Sequence, residues 1–359
     1  MANLMTDTCT YDSLVNKYGN FHVPAICLKV DGSDTVRDLS LNIQSLEISL
    51  SLSEASTAVV RLGDVYDSVN RSFYDKIKDK FKLGKIVEVG IGYDSELQTV
   101  LKGYIDTLGA EFGENTSLII TIKDVRQLMI SGGVHHVLHH VEHYSDAVNT
   151  ILGGYSVLCT AEIDATEEQL VHPVSQKSSD YDFITRELIG NGRCNREFLV
   201  VGEKAYFRKT GNDTTAICSM EFGRELRKFQ MESSYADLQV NVIGYDQQTQ
   251  TVITATATAK STEEQSSLMS ETPVWDIVDP EADTQDKADL RAKAYADKRI
   301  SLGQQGSGVC IGLPELIPGR YVEITMLEDM VNKKYYIVHV THKIDEEGFV
   351  TEFTTGGWI

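Results

Sequence analysis

The sequence predicts a mainly β fold with α+β insertions, in which two related β-barrel domains enclose a helix-containing middle region. Three observations predict this class: apolar and polar residues alternate over many short stretches, turn-forming residues separate those stretches, and one strand motif occurs twice. Alternation with a period of two places one face of a strand against a core. Many short strands with little helix are typical of a barrel or a sandwich.

Residues 1–133 are predicted to form the first barrel domain. Apolar residues alternate with polar ones from Leu39 to Ile43, and the alternation resumes in the opposite phase at Leu46. The change of phase at Gln44-Ser45 predicts a bulge or a bend within one long strand. Further strands are predicted at 58–62, 86–91, 99–108 and 118–122.

Residues 134–209 are predicted to form a helix-containing middle domain. Ser145 is placed to cap a short helix that Gly153-Gly154 ends, and Ser179 or Asp180 is placed to cap a second helix. The apolar faces of these helices consist of Ala147, Val148, Ile151 and Leu152 in the first and Tyr181, Ile184 and Leu188 in the second. A hairpin is predicted at 198–201 and 204–208, with its turn at Gly202.

Residues 210–359 are predicted to form the second barrel domain. Strands are expected at 236–245 and 251–259, and again between residues 321 and 353. The stretch 260–272, rich in serine, threonine, glutamate and glutamine, is interpreted as a polar linker. A helix is predicted at 286–302, with Ala288, Ala292 and Tyr295 on one face.

The strand motif that occurs twice starts at Gly84 and again at Gly319. Its two copies are Gly84-Lys85-Ile86-Val87-Glu88-Val89 and Gly319-Arg320-Tyr321-Val322-Glu323-Ile324. Gly103-Tyr104-Ile105 follows the first copy at a spacing similar to that at which Tyr335-Tyr336-Ile337 follows the second. Chance similarity between two hairpins is one explanation, and duplication of one small barrel is the other. Three chains with two like barrels each would present six similar units, which can match a six-fold partner.

Charge and cysteine content exclude several classes of protein. A formal net charge of −20 repels phosphate backbones and anionic membrane surfaces, so we expect no nucleic-acid readout. An acidic surface of this kind could also line a channel that does not retain what passes through it. No apolar run approaches the roughly 20 residues that a membrane span needs. The six cysteines are scattered without a Cys-x-x-Cys pair, which indicates reduced thiols in a protein made in a cytoplasm.

Several short stretches, taken in their order along the chain, resemble the phage late-control protein D and tail-hub family. This family includes the hubs of contractile phages, R-type bacteriocins and extracellular injection systems, and the N-terminal hub part of type VI secretion spike proteins. The stretches are Leu101-Lys102-Gly103-Tyr104-Ile105-Asp106, Ser145-Asp146-Ala147-Val148, Ile151-Leu152, Ser179-Asp180-Tyr181-Asp182-Phe183-Ile184-Thr185, Ala205-Tyr206-Phe207-Arg208, Val240-Asn241-Val242-Ile243-Gly244-Tyr245-Asp246, Leu313-Pro314-Glu315-Leu316-Ile317-Pro318-Gly319, and Tyr336-Ile337-Val338 with His342.

The resemblance implies two barrels of the tube-protein type and a structural baseplate role without enzymatic activity. It implies a homotrimer with pseudo-six-fold symmetry that joins a hexameric inner tube protein to a trimeric central spike, beside other baseplate proteins, in a phage tail or phage-tail-like particle. The sequence ends at Trp358-Ile359 without an oligonucleotide-type barrel or a β-helix needle. We therefore expect the spike to be a separate polypeptide.

Five histidines lie close together between residues 135 and 143. In a helix, His135, His139 and His143 would be four residues apart, and neighbouring pairs could bind zinc or nickel. The segment could equally be solvated or packed at an interface, and its imidazoles could respond to pH near 6. No nucleophile elbow, dinucleotide loop or phosphate loop is present, and the abundant carboxylates single out no acid–base pair. We predict no catalytic residue, no bound cofactor and no assigned metal site.

Two other functions remain alternatives to a structural hub. A tail-tip cell-wall hydrolase or peptidase would need a catalytic constellation, which the sequence does not display. A small carbohydrate-binding adhesin would need aromatic residues for stacking, and the chain has two tryptophans, Trp275 and Trp358.

Overall fold

The structure, a computed structural model, describes residues 3–356 except 114, 135, 168, 210–213, 236, 247–248, 261–271, 281 and 303. Strands dominate this part of the chain, and the prediction of a mainly β fold with helical insertions is confirmed. The strands are β1 (Pro24–Val30), β2 (Ser33–Asp34), β3 (Asn42–Ser51), β4 (Thr57–Gly63), β5 (Tyr66–Asp67), β6 (Ser72–Phe73), β7 (Ile86–Tyr93), β8 (Glu96–Glu111), β9 (Ser117–Lys123), β10 (Val137–His139), β11 (Thr160–Ile163), β12 (Val174–Gln176), β13 (Arg196–Val201), β14 (Lys204–Lys209), β15 (Ala216–Glu221), β16 (Leu226–Ser233), β17 (Leu238–Asp246), β18 (Thr251–Ala259), β19 (Val274–Val278), β20 (Gln304–Ile311), β21 (Tyr321–Thr325), β22 (Lys334–Asp345) and β23 (Gly348–Thr355).

The helices are short apart from the last one. They are α1 (Tyr11–Lys17), α2 (Thr35–Leu39), α3 (Asp75–Lys80), α4 (Val125–Ser131), α5 (Tyr144–Gly153), α6 (Asp180–Asp182) and α7 (Gln285–Leu302). A 3-10 turn at Gly19–Phe21 follows α1, and a π-helical stretch at Phe183–Gly190 continues α6.

Strands from both ends of the chain form one large sheet. Its order is β16-β20-β23-β22-β3-β4-β9-β8-β7-β1-β2, and β21 with β15 attaches beside β22. One apolar cluster, which includes Ile48 and Val60 as well as Val340 and Phe353, fills the space beneath it. The two predicted barrel domains are therefore joined through strand pairing and a common core, and the boundaries at 133 and 209 stay predictions.

We call β3, β4, β7, β8 and β9 the first repeat, and β16, β20, β21, β22 and β23 the second repeat. Within the first repeat, β3 shifts register against β4 between Ile43 and Ser45, where the sequence predicted a bulge. In the second repeat, β16 shifts register against β20 between Leu226 and Lys228. Because β3 and β16 occupy the same place in their repeats, the two bulges correspond.

A second pair of bulges also corresponds. β8 shifts register against β9 between Ile105 and Thr107, and β22 shifts against β23 between Ile337 and His339. The duplication that the sequence suggested at one motif thus extends over four adjacent strands with matching irregularities. Chance similarity between two hairpins does not account for both pairs of bulges.

The middle region packs as a separate apolar cluster around α5, α6 and the hairpin β13-β14. Helix α5 buries its predicted apolar face, and Ser179 caps α6 by accepting a hydrogen bond from the Asp182 N–H. The predicted hairpin is confirmed, with Phe198 opposite Phe207. The predicted cap at Ser145 is wrong, because α5 begins at Tyr144 and His143 is its N-cap.

A third, smaller cluster lies beneath a sheet of β17, β18 and β19. Helix α7 packs against β17 and β18 and buries Ala288 and Ala292, as predicted. The predicted linker 260–272 lies, apart from its two end residues, outside the described residues. Leu39, which the sequence placed in a strand, is instead the last residue of α2.

Candidate assembly surfaces

The turn that opens each copy of the repeated motif has the same backbone hydrogen bonds. These bonds, each 2.9 Å long, run from Gly84 N–H to the Ile105 carbonyl, from Ile105 N–H to the Lys85 carbonyl, from Gly319 N–H to the Ile337 carbonyl and from Ile337 N–H to the Arg320 carbonyl. The φ angles of the two glycines are +79° and +83°, in the left-handed region that favours glycine. The glycine therefore recurs because the turn between strands requires it.

The two repeats meet where β22 pairs antiparallel with β3. Val340 lies opposite Leu50, and Ile344 lies opposite Leu46. All four side chains are buried, and even Ile344, at the end of the contact, is only 8% exposed. We call this contact the internal junction.

His342 lies at the centre of the internal junction, opposite Ile48. Its ring is fully buried, Nδ1 is 2.9 Å from Oγ1 of Thr351, and the ring of Phe349 lies edge-on at 6.0 Å. Burial lowers the pKa of this imidazole to about 3, because charging it would require desolvation without a counter-charge. A residue that contributed to the family resemblance is thus a neutral core residue.

The face of the large sheet opposite the core is polar and carries charges of both signs. Alternation within β3, β4, β22 and β23 leaves Glu47, Arg61, Lys343 and Glu352 on this face. Lys343 and Glu352 form an ion pair of 2.9 Å across neighbouring strands. These central strands do not show the one-sided acidic surface that the net charge suggested for a channel wall.

Sequence reasoning missed the strand at the end of this sheet, β16. Its apolar residues Leu226, Phe229 and Met231 are separated by polar residues with a change of phase, the same signal that predicted β3. Charged residues within the strand, Arg227 and Lys228, obscure the alternation.

The middle region is fastened to the second repeat by a buried ionic contact. Arg208 Nε donates to Glu197 Oε1 at 2.6 Å, and its Nη2 donates to the Gly319 carbonyl. The Tyr336 hydroxyl donates to the other Glu197 oxygen. Burial raises the pKa of the Glu197 carboxyl although Arg208 and Tyr336 act in the opposite direction.

Burial within a structural ion pair accounts for the shifted pKa of this carboxyl. A shifted pKa points to a reactive group when the group lies in a cleft, and structural ion pairs produce shifts as well. Here Arg208 and Tyr336 occupy both oxygens of Glu197, so the contact positions the hairpin β13-β14 on the repeat. Nothing in the amino-acid sequence indicated that these three residues would meet.

A second buried network ties the middle region to the first repeat. Arg126 is fully buried at the start of α4, where it donates to Asp124 Oδ2 at 2.7 Å and to the Ser51 carbonyl at 2.7 Å. The Tyr181 hydroxyl donates to the Ser53 carbonyl at 2.5 Å. Both contacts reach the loop between β3 and β4, so each repeat has its own polar attachment to the middle region.

The histidine segment is not helical where it is described. His139 lies in strand β10, is buried, places Nε2 2.7 Å from Gln176 Oε1 and stacks on Phe183. His143 caps α5, whereas His136 and His140 are exposed and His135 lies outside the described residues. The helical stacking that would have aligned three ligands is therefore wrong, and in the part of the chain that the structure describes no group of three or more potential ligands could hold a metal.

A cavity of about 450 Å³ lies at the edge of the second repeat, between the segment before α1 and strand β15. Its lining includes Cys9, Ser219 and Glu323, and no histidine is present among the described residues that line it. A nucleophile and a histidine base are thus not brought together there. Among the described helices, none is long and apolar enough to cross a membrane.

The fold is similar to those of solved phage tail proteins. The tail protein from Neisseria meningitidis MC58 superposes with a TM-score of 0.69 at 11% identity, over 93% of this chain and 97% of that chain. The 43 kDa tail protein of prophage MuSo2 from Shewanella oneidensis gives 0.67 at 12% identity, over 92% and 97%. The E. coli c3393 protein, described as a component of the type VI secretion system, gives 0.59 at 11% identity, over 92% and 77%. At these identities the similarity establishes a shared fold.

A sequence family model also matches the chain. Its description is "Alg8 N-terminal domain", and the match covers residues 22–346. No curated protein sequence matches the chain.

Proposed function

The chain belongs to the Alg8 N-terminal domain family, and we propose that it is the structural baseplate hub of a contractile phage tail or phage-tail-like injection system. In this proposal the hub is of the late-control protein D type and is not an enzyme. It is made in the bacterial cytoplasm and forms a homotrimer with pseudo-six-fold symmetry. The trimer joins a hexameric inner tube protein on one side to a separate trimeric spike on the other, and contacts further baseplate proteins.

The observation that carries the proposal is the duplication of four strands with corresponding bulges. A hexameric tube presents six equal surfaces, and three chains can match them only if each chain offers two similar units. The fold shared with tail proteins, and with a component of a type VI secretion system, supports the same assignment.

The non-enzymatic part of the proposal is supported by the state of two buried groups whose pKa values are shifted. Glu197 is held in an ion pair, and His342 is buried as a neutral core residue. Neither group faces the cavity beside β15.

The mass of the assembly tests the proposal. We expect light scattering to give three times the mass of one chain, either for the protein alone or after co-expression with the spike and tube proteins of the same particle. Class averages from electron microscopy should show a ring with three-fold symmetry and six similar lobes. A monomer that persists with both partners present would overturn the proposal.

A zymogram on peptidoglycan addresses the alternative of a cell-wall hydrolase. We expect no clearing, with lysozyme as the positive control. Clearing by the purified protein, lost on heating, would favour the hydrolase instead.

A further inference from the structure

Two strand edges of the large sheet are not covered by another strand among the described residues. Strand β16 is the last strand on one side of the sheet. Strand β8 pairs with β7 only as far as Tyr104, and beyond that residue it pairs only with β9 on its other edge. We call residues 107–112 the β8 extension. Exposed edges of this kind are ready to pair with another chain.

The two open edges correspond to the two strands that pair in the internal junction. Because the bulges correspond, His339 of β22 matches Thr107 of β8, and Ser45 of β3 matches Lys228 of β16. The β8 extension is therefore the counterpart of the part of β22 that pairs with β3. Likewise β16 is the counterpart of β3 itself. The chain pairs β22 with β3. It also contains the counterparts of both strands, the β8 extension and β16, and these two do not pair with each other within the chain.

The side chains of the two edges are suited to such a contact. On the core side, Leu108 and Phe112 replace the buried Val340 and Ile344 of the internal junction. Phe112 touches the rings of Tyr66 and Phe73 yet remains 64% exposed, whereas its counterpart Ile344 is 8% exposed.

Strand β16 offers matching apolar residues from the other side. Phe229 and Met231 replace Leu46 and Ile48, and both are only partly buried. Arg227 and Lys228 precede them and Glu232 follows Met231, so this edge carries charges of both signs.

We propose that the β8 extension of one copy pairs antiparallel with β16 of the next copy, in the register of the internal junction. In that junction Lys343 lies opposite Glu47, and the counterparts of these two residues are Glu111 and Gln230. Glu111 therefore lies opposite Gln230 of the neighbouring copy. By the same correspondence, Leu108 lies opposite Ser233. The contact is head-to-tail, and repeating it closes a ring in which junctions within and between chains alternate. This inference rests on the proposed function, because the ring it builds is the body of the hub.

A disulfide cross-link tests this register. Directly opposite residues of antiparallel strands have Cα atoms about 4.5–5.5 Å apart, within the range that a disulfide spans. Glu111 and Gln230 are both exposed, and the ion pair of Glu111 with Arg61 is a surface contact of the kind that contributes little to stability, so Glu111→Cys with Gln230→Cys should leave the fold intact. The background carries Cys9→Ser, because the other five native cysteines are buried. After mild oxidation we expect a covalent trimer on a non-reducing gel, and only monomer for each single variant.

The matched control moves one cysteine by two positions on the same face. Glu111→Cys with Glu232→Cys should cross-link at least tenfold less, because the residues are then diagonal and their Cβ atoms are about 7–8 Å apart. Equal cross-linking of the two pairs would overturn the proposed register.

The outcomes separate this contact from the proposed function. A trimer by light scattering without the Glu111–Gln230 cross-link overturns the contact and leaves the hub proposal standing. Cross-linked products that extend beyond three chains support the contact and overturn the trimer. A monomer without the cross-link overturns both.

Hydrogen exchange of the unmodified protein gives a second measurement that does not depend on the variants. The amides of 107–112 and 229–233 should exchange at least tenfold more slowly in the assembled protein than in dilute monomer. Equal exchange in both states would contradict strand pairing between copies.

Discussion

The two repeats have the same strand order and two pairs of corresponding bulges, yet their outer edges differ in burial. The part of β22 that follows its bulge is covered by β3 and buries Val340 and Ile344. Among the described residues no strand covers the corresponding part of β8, and Phe112 is exposed. Equal backbone geometry thus does not determine burial. Burial depends on which strand lies beside each edge, and in the second repeat that strand is β3 of the same chain.

The repeats also differ at their opposite side. Strand β1 pairs antiparallel with β7, whereas β15 pairs parallel with β21. The motif glycine of the second repeat is covered by the middle region, since a Cβ on Gly319 would lie 2.6 Å from Leu199 Cδ1, whereas a Cβ on Gly84 would meet nothing within 4 Å. The duplicated strands therefore carry different attachments.

The largest expected difference between the repeats concerns Ile48 and its counterpart Met231. Ile48→Ala should lower the free energy of unfolding by about 2–5 kcal/mol, because it leaves a cavity in a fully buried site. Met231→Ala should cost less in dilute protein, because Met231 is only partly buried there. Urea denaturation at low protein concentration measures both. Equal losses would show that the open edge is as well packed as the internal junction.

Replacing the two motif glycines by alanine tests the attachment of the middle region. Gly84→Ala should cost about 1–2 kcal/mol, the usual penalty for a side chain at positive φ. Gly319→Ala should cost about 1–3 kcal/mol more, because its Cβ also displaces Leu199. Denaturation of the two variants side by side provides the measurement. A Gly319→Ala loss no greater than that of Gly84→Ala would indicate that Leu199 moves away freely.

Strand alternation and the duplicated motif made most of the large sheet predictable. Residues such as Leu46, Ile48 and Leu50 carry that information locally, since each lies on the face that its period assigns. The pairing of β22 with β3 was not predictable, because about 290 residues separate the two strands. The unpaired backbone groups of either strand can also hydrogen-bond to any exposed strand.

The candidate assembly surfaces were predictable only in part. The alternation of β16 was present in the sequence but was masked by Arg227 and Lys228. The contact between Glu197, Arg208 and Tyr336 joins three distant positions, and nothing in their local sequence distinguishes them from solvated residues. The histidine segment was misleading, because β pairing of His139 with Val174 prevailed over its helical spacing.

Tyr336 and Tyr104 occupy corresponding positions in the two repeats and provide a smaller contrast. Tyr336→Phe leaves a buried Glu197 oxygen without its hydroxyl donor and should cost about 1–3 kcal/mol. Tyr104→Phe removes a 3.2 Å hydrogen bond to Asp106 at a partly buried site, so its cost should be about 0.5–1 kcal/mol. Thermal or urea unfolding compares them. A larger loss for Tyr104→Phe would contradict the role assigned to Glu197.

The smallest contrast between the repeats concerns the pH dependence of stability. The second repeat buries His342 at the position where the first repeat has Ala110. Burial lowers the pKa of His342 to about 3, so the folded protein keeps this imidazole neutral while the unfolded chain protonates it below its ordinary pKa of about 6.5. The unfolded state then binds more protons. Stability is therefore greatest above about pH 6.5 and falls as the pH decreases toward 3, with a slope from this residue of at most about 1.4 kcal/mol per pH unit.

The variant His342→Gln removes this contribution and keeps a polar group near Thr351. We expect it to be less stable than the unmodified protein at pH 8, and its free energy of unfolding should fall less steeply between pH 6.5 and 5. His140→Gln, at an exposed site, is the matched control and should retain the slope of the unmodified protein. If His342→Gln retained that slope as well, the acid sensitivity would have to come from other groups, among them His339 of the same junction, whose pKa burial also lowers. The buried histidine would then not distinguish the two repeats.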